Sequence, residues 1–485
     1  MKTLGKTAVQ YVEQTAYAFF AAIMTTNTSS SSAPGLKRVL GLWDLVFYGI
    51  VLIQPIAAIG LFGIAQQMSR GHMVTTILIA MLAMMLTAIS YGRMASVYPS
   101  AGSAYTYVRH GLNPHLGFLA GWAMILDYLI VPIVSTVYAA LTLTRIVPGI
   151  PYWAWVLLLG ALTTVLNLRG IKTTAKSNIV LLVAMCATIT VFMVEAIRYI
   201  WMRQGAAALF TTTPIYNPAT FHISDVLTAT SFAALTYIGF DGVTTLAEEV
   251  RNPKRNVMLA TVLVCAFTGV FSSIQIYLAA LVWPQYSTFP NVETAFLDVA
   301  GRAGGPWLYQ AIALTLFVAC FGSALTGQVG AARLLYGMGR DNVLPRRFFG
   351  ALHKTSGTPL LNLLLLGAIT VAGSLTLSYE HAAEVLNFGA FLAFMGVNAA
   401  CARTFYLKRK AGERNWLMDA AAPLAGLLFC LAIWLSLPVL AKWLGGAWLL
   451  LGVAYLAAQT RGFRRAPVEI NFEEESTANE AANSR

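Results

Sequence analysis

From position 43 to position 462 the sequence is a succession of apolar runs separated by short polar, mostly basic joints. A helix of about twenty apolar residues crosses the hydrocarbon layer of a bilayer. In lipid every backbone N–H and C=O must be satisfied internally, so such runs fold as membrane-crossing helices and as little else. Counting by that length predicts twelve spans, at 43–68, 73–98, 115–147, 151–168, 177–200, 224–250, 257–283, 306–336, 358–377, 382–404, 420–440 and 442–462. Only 11% of the residues are charged, against about a quarter in soluble domains.

The charges that remain test the count. With both ends in the cytoplasm, 26 of the 32 lysines and arginines fall in inside joints or the adjoining helix ends. Arg70, Arg145, Arg198, Arg203, Arg302 and Lys442 are left outside. That bias is the positive-inside rule, and deleting a middle span would destroy it. The net charge of +12 is scattered between apolar runs, with no compact basic patch for nucleic acid. The five cysteines form no CxxC pair and read as small apolar residues. The six histidines make no metal-binding pattern and no phosphate-binding loop occurs, so neither a metal nor another cofactor is expected, and no enzymatic constellation is visible. Residues 1–40 and 463–485 read as disordered cytoplasmic ends, and the "MTTNTSSSSAPGLKR" stretch suggests translation from Met24.

Two spans are interrupted. The first, "YGIVLIQPIAAIGLFGIAQQM", carries Gln54-Pro55 and then Gly60 and Gly63; the sixth carries Tyr237–Gly242 after the apolar "LTATSFAALT". The interruptions stand about 185 residues apart, in corresponding places of two five-span blocks, 43–200 and 224–404. Five is odd, so the second block enters the membrane in the opposite sense, and 420–462 adds two trailing helices. Paired breaks in an inverted repeat mark the substrate site of a transporter, because the freed backbone groups can hold a ligand's charged ends.

The stretches "AISYGRMASVYPSAGSAYTYV" (88–108), "LNPHLGFLAGWAMILDYLIVP" (112–132), "YIGFDGVTTLAEEVRNPKRNV" (237–257) and "RLLYGMGRDNVLPRRFF" (333–349) resemble the amino acid–polyamine–organocation superfamily of secondary transporters. Within it the chain is most similar to bacterial amino acid permeases and the putrescine-importer branch. The resemblance implies an all-α membrane bundle with a 5+5 inverted repeat, leucine-transporter-like, and alternating access. It places the substrate site at Ile53, Gln54, Pro55, Ala57, Ala58 and Gly60 of the first span. From the sixth it adds Tyr237, Gly239, Phe240, Asp241 and Gly242, with Tyr237 and Phe240 as candidate lids. Three departures stand out. The first break has fewer glycines than many amino acid members show, no acid lies between 51 and 64 where putrescine importers carry one, and Met185 stands where some proton-coupled members place a lysine.

Several polar residues have two open readings. Asp241 orients the break and meets an ammonium group or proton, or caps the following half-helix. Asp127, about 18 Å along the third span at 1.5 Å per residue, is a proton relay or a structural hydrogen-bonding group. Tyr105 and Tyr107 line an inner vestibule or anchor the interface; Glu248, Glu249, Arg340 and Asp341 are gate candidates or members of solvated joints. Glu195 and Glu384 fall near outer span ends and call for no role. The expectation is a carrier of the cytoplasmic (inner) membrane that imports a small amino acid. Its coupling cation is H⁺, with Asp127 and Asp241 as carriers. A putrescine or polyamine importer and an uncoupled exchanger are the alternatives.

Overall fold

A computed structural model describes residues 38–99, 102–169, 175–353, 358–410, 412 and 414–468. The polar ends up to residue 37 and from 469 on, and the Met24 start, lie outside those residues. The chain is helical: α1 (Leu42–Ile53), α2 (Ala57–Met68), α3 (Met73–Val97), α4 (Ser103–Gly111), α5 (Pro114–Ile146), α6 (Tyr152–Leu168), α7 (Ala175–Gln204) and α8 (Ile223–Ala233). Two tighter 3-10 segments, Ala234–Tyr237 and Phe240–Glu249, lead to α9 (Pro253–Val282), α10 (Ala295–Gly304), α11 (Pro306–Arg340) and α12 (Arg346–Phe349). Then come α13 (Leu360–Thr376), α14 (Tyr379–Ala402), α15 (Ala422–Leu435) and α16 (Val439–Gln459). Starts follow the local chemistry. Asn113 caps α5 by accepting the Leu116 N–H at 2.8 Å, and prolines 114, 253 and 306 occupy first turns, where a missing N–H costs nothing.

Among the described residues eight helices are long and apolar enough to cross a membrane, and two bent pairs raise the number to ten. The chain is thus a multi-pass membrane protein. The bent pairs are α1 with α2, at 51°, and Ile223–Tyr237 with Phe240–Ala247, at 40°, which are the two spans read as interrupted. The apolar helices α6 and α13 have 17 residues each, about 25 Å at 1.5 Å per residue. One local expectation needs correction. The half-helix expected after Asp241 is not α-helical; Phe240–Glu249 winds as 3-10 turns. Thr244 and Thr245 turn their hydroxyls back onto the carbonyls of Asp241 and Gly242, each at 2.7 Å, and such local bonds compete with α-helical pairing.

The joints gather at two ends. At the near end, where α1 begins, a parallel bridge joins Leu40 to Val250 and so ties the chain before α1 to the end of the second bent pair. Arg93 pairs there with Asp419, and Arg403 donates to the carbonyls of Gly111 and Leu112. At the far end Arg70 pairs with Asp225 at 2.7 Å, and Arg145 pairs with Asp298. Burial pushes the Asp298 carboxyl up, and the guanidinium beside it opposes that shift. Four of the six basic residues expected outside, Arg70, Arg145, Arg198 and Arg302, engage an acid, a hydroxyl or a ring at this end.

Candidate substrate site

The first break is built by three residues. Ile53 ends α1, Gln54 adopts φ 66°, and Pro55 brings no N–H to continue the ladder. Gln275 of α9 donates its Nε2 to the freed Pro55 carbonyl at 3.2 Å. Helix α2 then restarts with no side-chain cap; the Ala57 and Ile59 N–H groups donate to the Gln54 and Ile56 carbonyls at 3.0 Å, and the positive end of the helix dipole lies at the break. The second break turns at Gly239, whose φ of 111° a side chain would strain. A Cβ there would stand 3.5 Å from the Leu52 carbonyl, so the two breaks lie against each other.

A cavity of about 550 Å³ opens between them. Ile53, Gln54, Ala57 and Gly60 line it from the first break, and Gly239, Asp241 and Gly242 from the second. Helix α5 adds Asp127 and Tyr128, so two carboxylates share one cavity. Asp241 follows the turn at Gly239 and is an electrostatic neighbour of Asp127. One Asp127 oxygen is buried without a hydrogen-bond partner. Among the described residues no ion pair joins either acid to a cation.

The lining runs to the near end, through Tyr105, Thr245, Arg333 and Arg340, where Arg340 contacts Asp341 at 2.9 Å. Toward the far end it stops at Tyr138 and Tyr379, whose ring centroids are 4.8 Å apart. Arg109 donates to the Tyr105 hydroxyl at 3.3 Å.

Other expected site residues lie elsewhere. Pro55 and Ala58 are buried beside the break and do not line the cavity. Neither candidate lid covers it. Tyr237 is fully buried and donates its hydroxyl to the Ile77 carbonyl at 2.8 Å. The Phe240 ring packs on Tyr91 and Phe394, at 5.5 and 5.2 Å, because the tight winding after Gly239 turns it into the core. Tyr107 is likewise core, 5.9 Å from Tyr91. Glu249 takes part through its backbone carbonyl, which accepts the N–H groups of Val39 and Leu40; the Glu248 side chain lies outside the described residues.

Sequence reasoning passed over Tyr128, Tyr138 and the Gly327–Gly330 face of α11, all of which line the cavity. The helical stripe Tyr128, Val131, Ser135, Tyr138 beside Asp127 was the available signal.

Residues 44–451 match the family model for amino acid permeases. A low-affinity putrescine importer of Escherichia coli, PlaP, is 32% identical over 90% of this chain and 97% of its own length. The branched-chain amino acid permease BcaP of Lactococcus lactis is 26% identical over 86% of this chain and 93% of its own. A vacuolar cationic amino acid transporter of Arabidopsis thaliana is 27% identical over 76% of this chain and 63% of its own.

Proposed function

Because this chain belongs to the amino acid permease family, we propose that it is a secondary carrier that imports a small amino acid through the cavity between its two broken spans. The supporting observation is the placement of opposite kinds of group around one space. Asp127 and Asp241 offer negative charge on one side, and the uncapped start of α2, at Ala57, borders the same cavity. A zwitterion fits that pair: its ammonium at the carboxylates, its carboxylate at the helix N-terminus. The uncharged lining between them, including Val131, Val134 and Leu235, is left for the side chain.

The proposal adopts the twelve-span, 5+5 inverted-repeat topology with both termini cytoplasmic. The near end is then the cytoplasmic end, and the shape described is open inward: a mouth at Tyr105 and Arg340, a seal at Tyr138 and Tyr379. Transport proceeds by rocking of the broken spans, whose near-end tips move together through the Leu40–Val250 bridge. Coupling is to H⁺, and Asp127 and Asp241 are available carriers.

A second reading is a diamine importer. The two cavity carboxylates favour it, as does the similarity to a putrescine importer. The absence of an acid anywhere from 51 to 64 opposes it. Uptake into proteoliposomes of labelled amino acids and putrescine, under separate H⁺ and Na⁺ gradients, decides. Saturable uptake of an amino acid driven by H⁺ is expected. Putrescine uptake alone would replace the first reading by the second, and transport of neither would refute both.

A further inference from the structure

The far end holds a carboxyl group that the cavity does not use. Glu384 lies on α14 between Tyr379, which lines the cavity, and Asn387. Asn387 donates its Nδ2 to the carbonyls of Ser231, at 2.7 Å, and Phe232, at 3.4 Å, shortly before the second break. Glu384 is 1% exposed, and neither of its carboxyl oxygens has a hydrogen-bond partner.

Charged neighbours do not relieve it. Helix α14 packs against α3, α4, α5, α8, α15 and α16. The far-end charges those helices carry are Arg145 on α5, Asp225 on α8 and Lys442 on α16. Arg145 is held by Asp298, Asp225 by Arg70, and Lys442 donates to the Leu435 carbonyl. His72, ahead of α3, is committed to the Ser69 carbonyl and the Asn217 N–H. On α14 itself stand Glu380, a like charge within electrostatic reach, and exposed His381. Glu293, in the loop before α10, is a further negative charge near Tyr379.

A buried carboxylate with no cation and no donor is strongly disfavoured. The cavity lining does not include Glu384, so a substrate ammonium does not reach it. A metal cation would need several oxygen ligands, and a proton needs one lone pair.

We propose that Glu384, rather than the cavity acids Asp127 and Asp241, is the binding site of the coupling proton, an inference that rests on the proton-driven transport proposed above. A proton from far-end water forms an O–H bond to the Glu384 carboxyl, which the inward-open shape seals from the cavity, and it leaves to near-end water when a further movement of α14 opens that seal. Asn387, one turn away on the same helix face, carries the resulting shift of α14 to the carbonyls at the second break.

Two measurements on purified wild type and Glu384→Gln test this, after size-exclusion chromatography shows both monodisperse. Infrared difference spectra should show a carboxylic-acid carbonyl band that the Gln variant lacks; absence of such a band overturns the proposal, and this readout needs no substrate. In proteoliposomes, a gradient of about one pH unit supports up to roughly tenfold accumulation for one proton per substrate. That accumulation should collapse in Glu384→Gln while counterflow at equal pH persists. A variant that accumulates like wild type, or a wild type indifferent to the gradient, overturns the proposal. A wild type that moves no substrate at any pH refutes the transport reading instead.

Discussion

An aspartate inside a hydrocarbon-depth helix persists only where something compensates its charge. Asp127 and Asp241 reach the same compensation from two unrelated segments, by facing one cavity. In the proposed reading each is a hydrogen-bonding partner for the substrate ammonium. Removing a charged partner costs about 1.5–3 kcal/mol, or roughly tenfold to a hundredfold in apparent affinity. Asp241→Asn should therefore raise the KM of uptake by roughly tenfold or more, with normal membrane insertion and expression, and Asp127→Asn should do the same. Wild-type KM in either variant removes that residue from the site. These acids were legible in the sequence because an acid in an apolar run needs a reason. The lids were not: whether Phe240 faces cavity or core depends on the 3-10 winding after Gly239, which no spacing rule displays. Glu384 stands deeper in its helix than the sequence suggests: the predicted run begins at 382, but α14 starts at Tyr379, which carries the residue more than a turn into the helix.

At the scale of elements, the two breaks are the best-read feature, since Pro55 and Gly239 are chemical punctuation. How closely their halves pack was not readable. Gly63 of α2 sits so near the loop before α10 that a Cβ would lie 1.9 Å from the Val292 carbonyl oxygen. Backbone cannot yield there as a flexible side chain would. Gly63→Ala should lower the melting temperature and uptake together, the cost of overpacking being about 1–3 kcal/mol. Gly446→Ala, on α16 with nothing within 4 Å, is the control and should be neutral or stabilising. Equal behaviour of the two variants would show that α2 does not hold this seat. The junction of Leu40 with Val250 was invisible in advance, because a two-residue bridge leaves no periodic trace.

For the molecule as a whole, apolar run length and charge bias foretold the membrane bundle, and each predicted run has a helical counterpart. The inequality of its two ends came only with the structure. The tilted Tyr138 and Tyr379 rings close one end, whereas the cavity lining runs toward the other. That asymmetry is what a carrier caught facing one side should have, and a channel should not. Counterflow tests it most directly. Proteoliposomes loaded with unlabelled substrate and diluted into a trace of labelled substrate, with no ion gradient, should accumulate label transiently above its equilibrium level, and Asp241→Asn should blunt the overshoot. Monotonic equilibration of label, with no overshoot in wild type, would contradict the account.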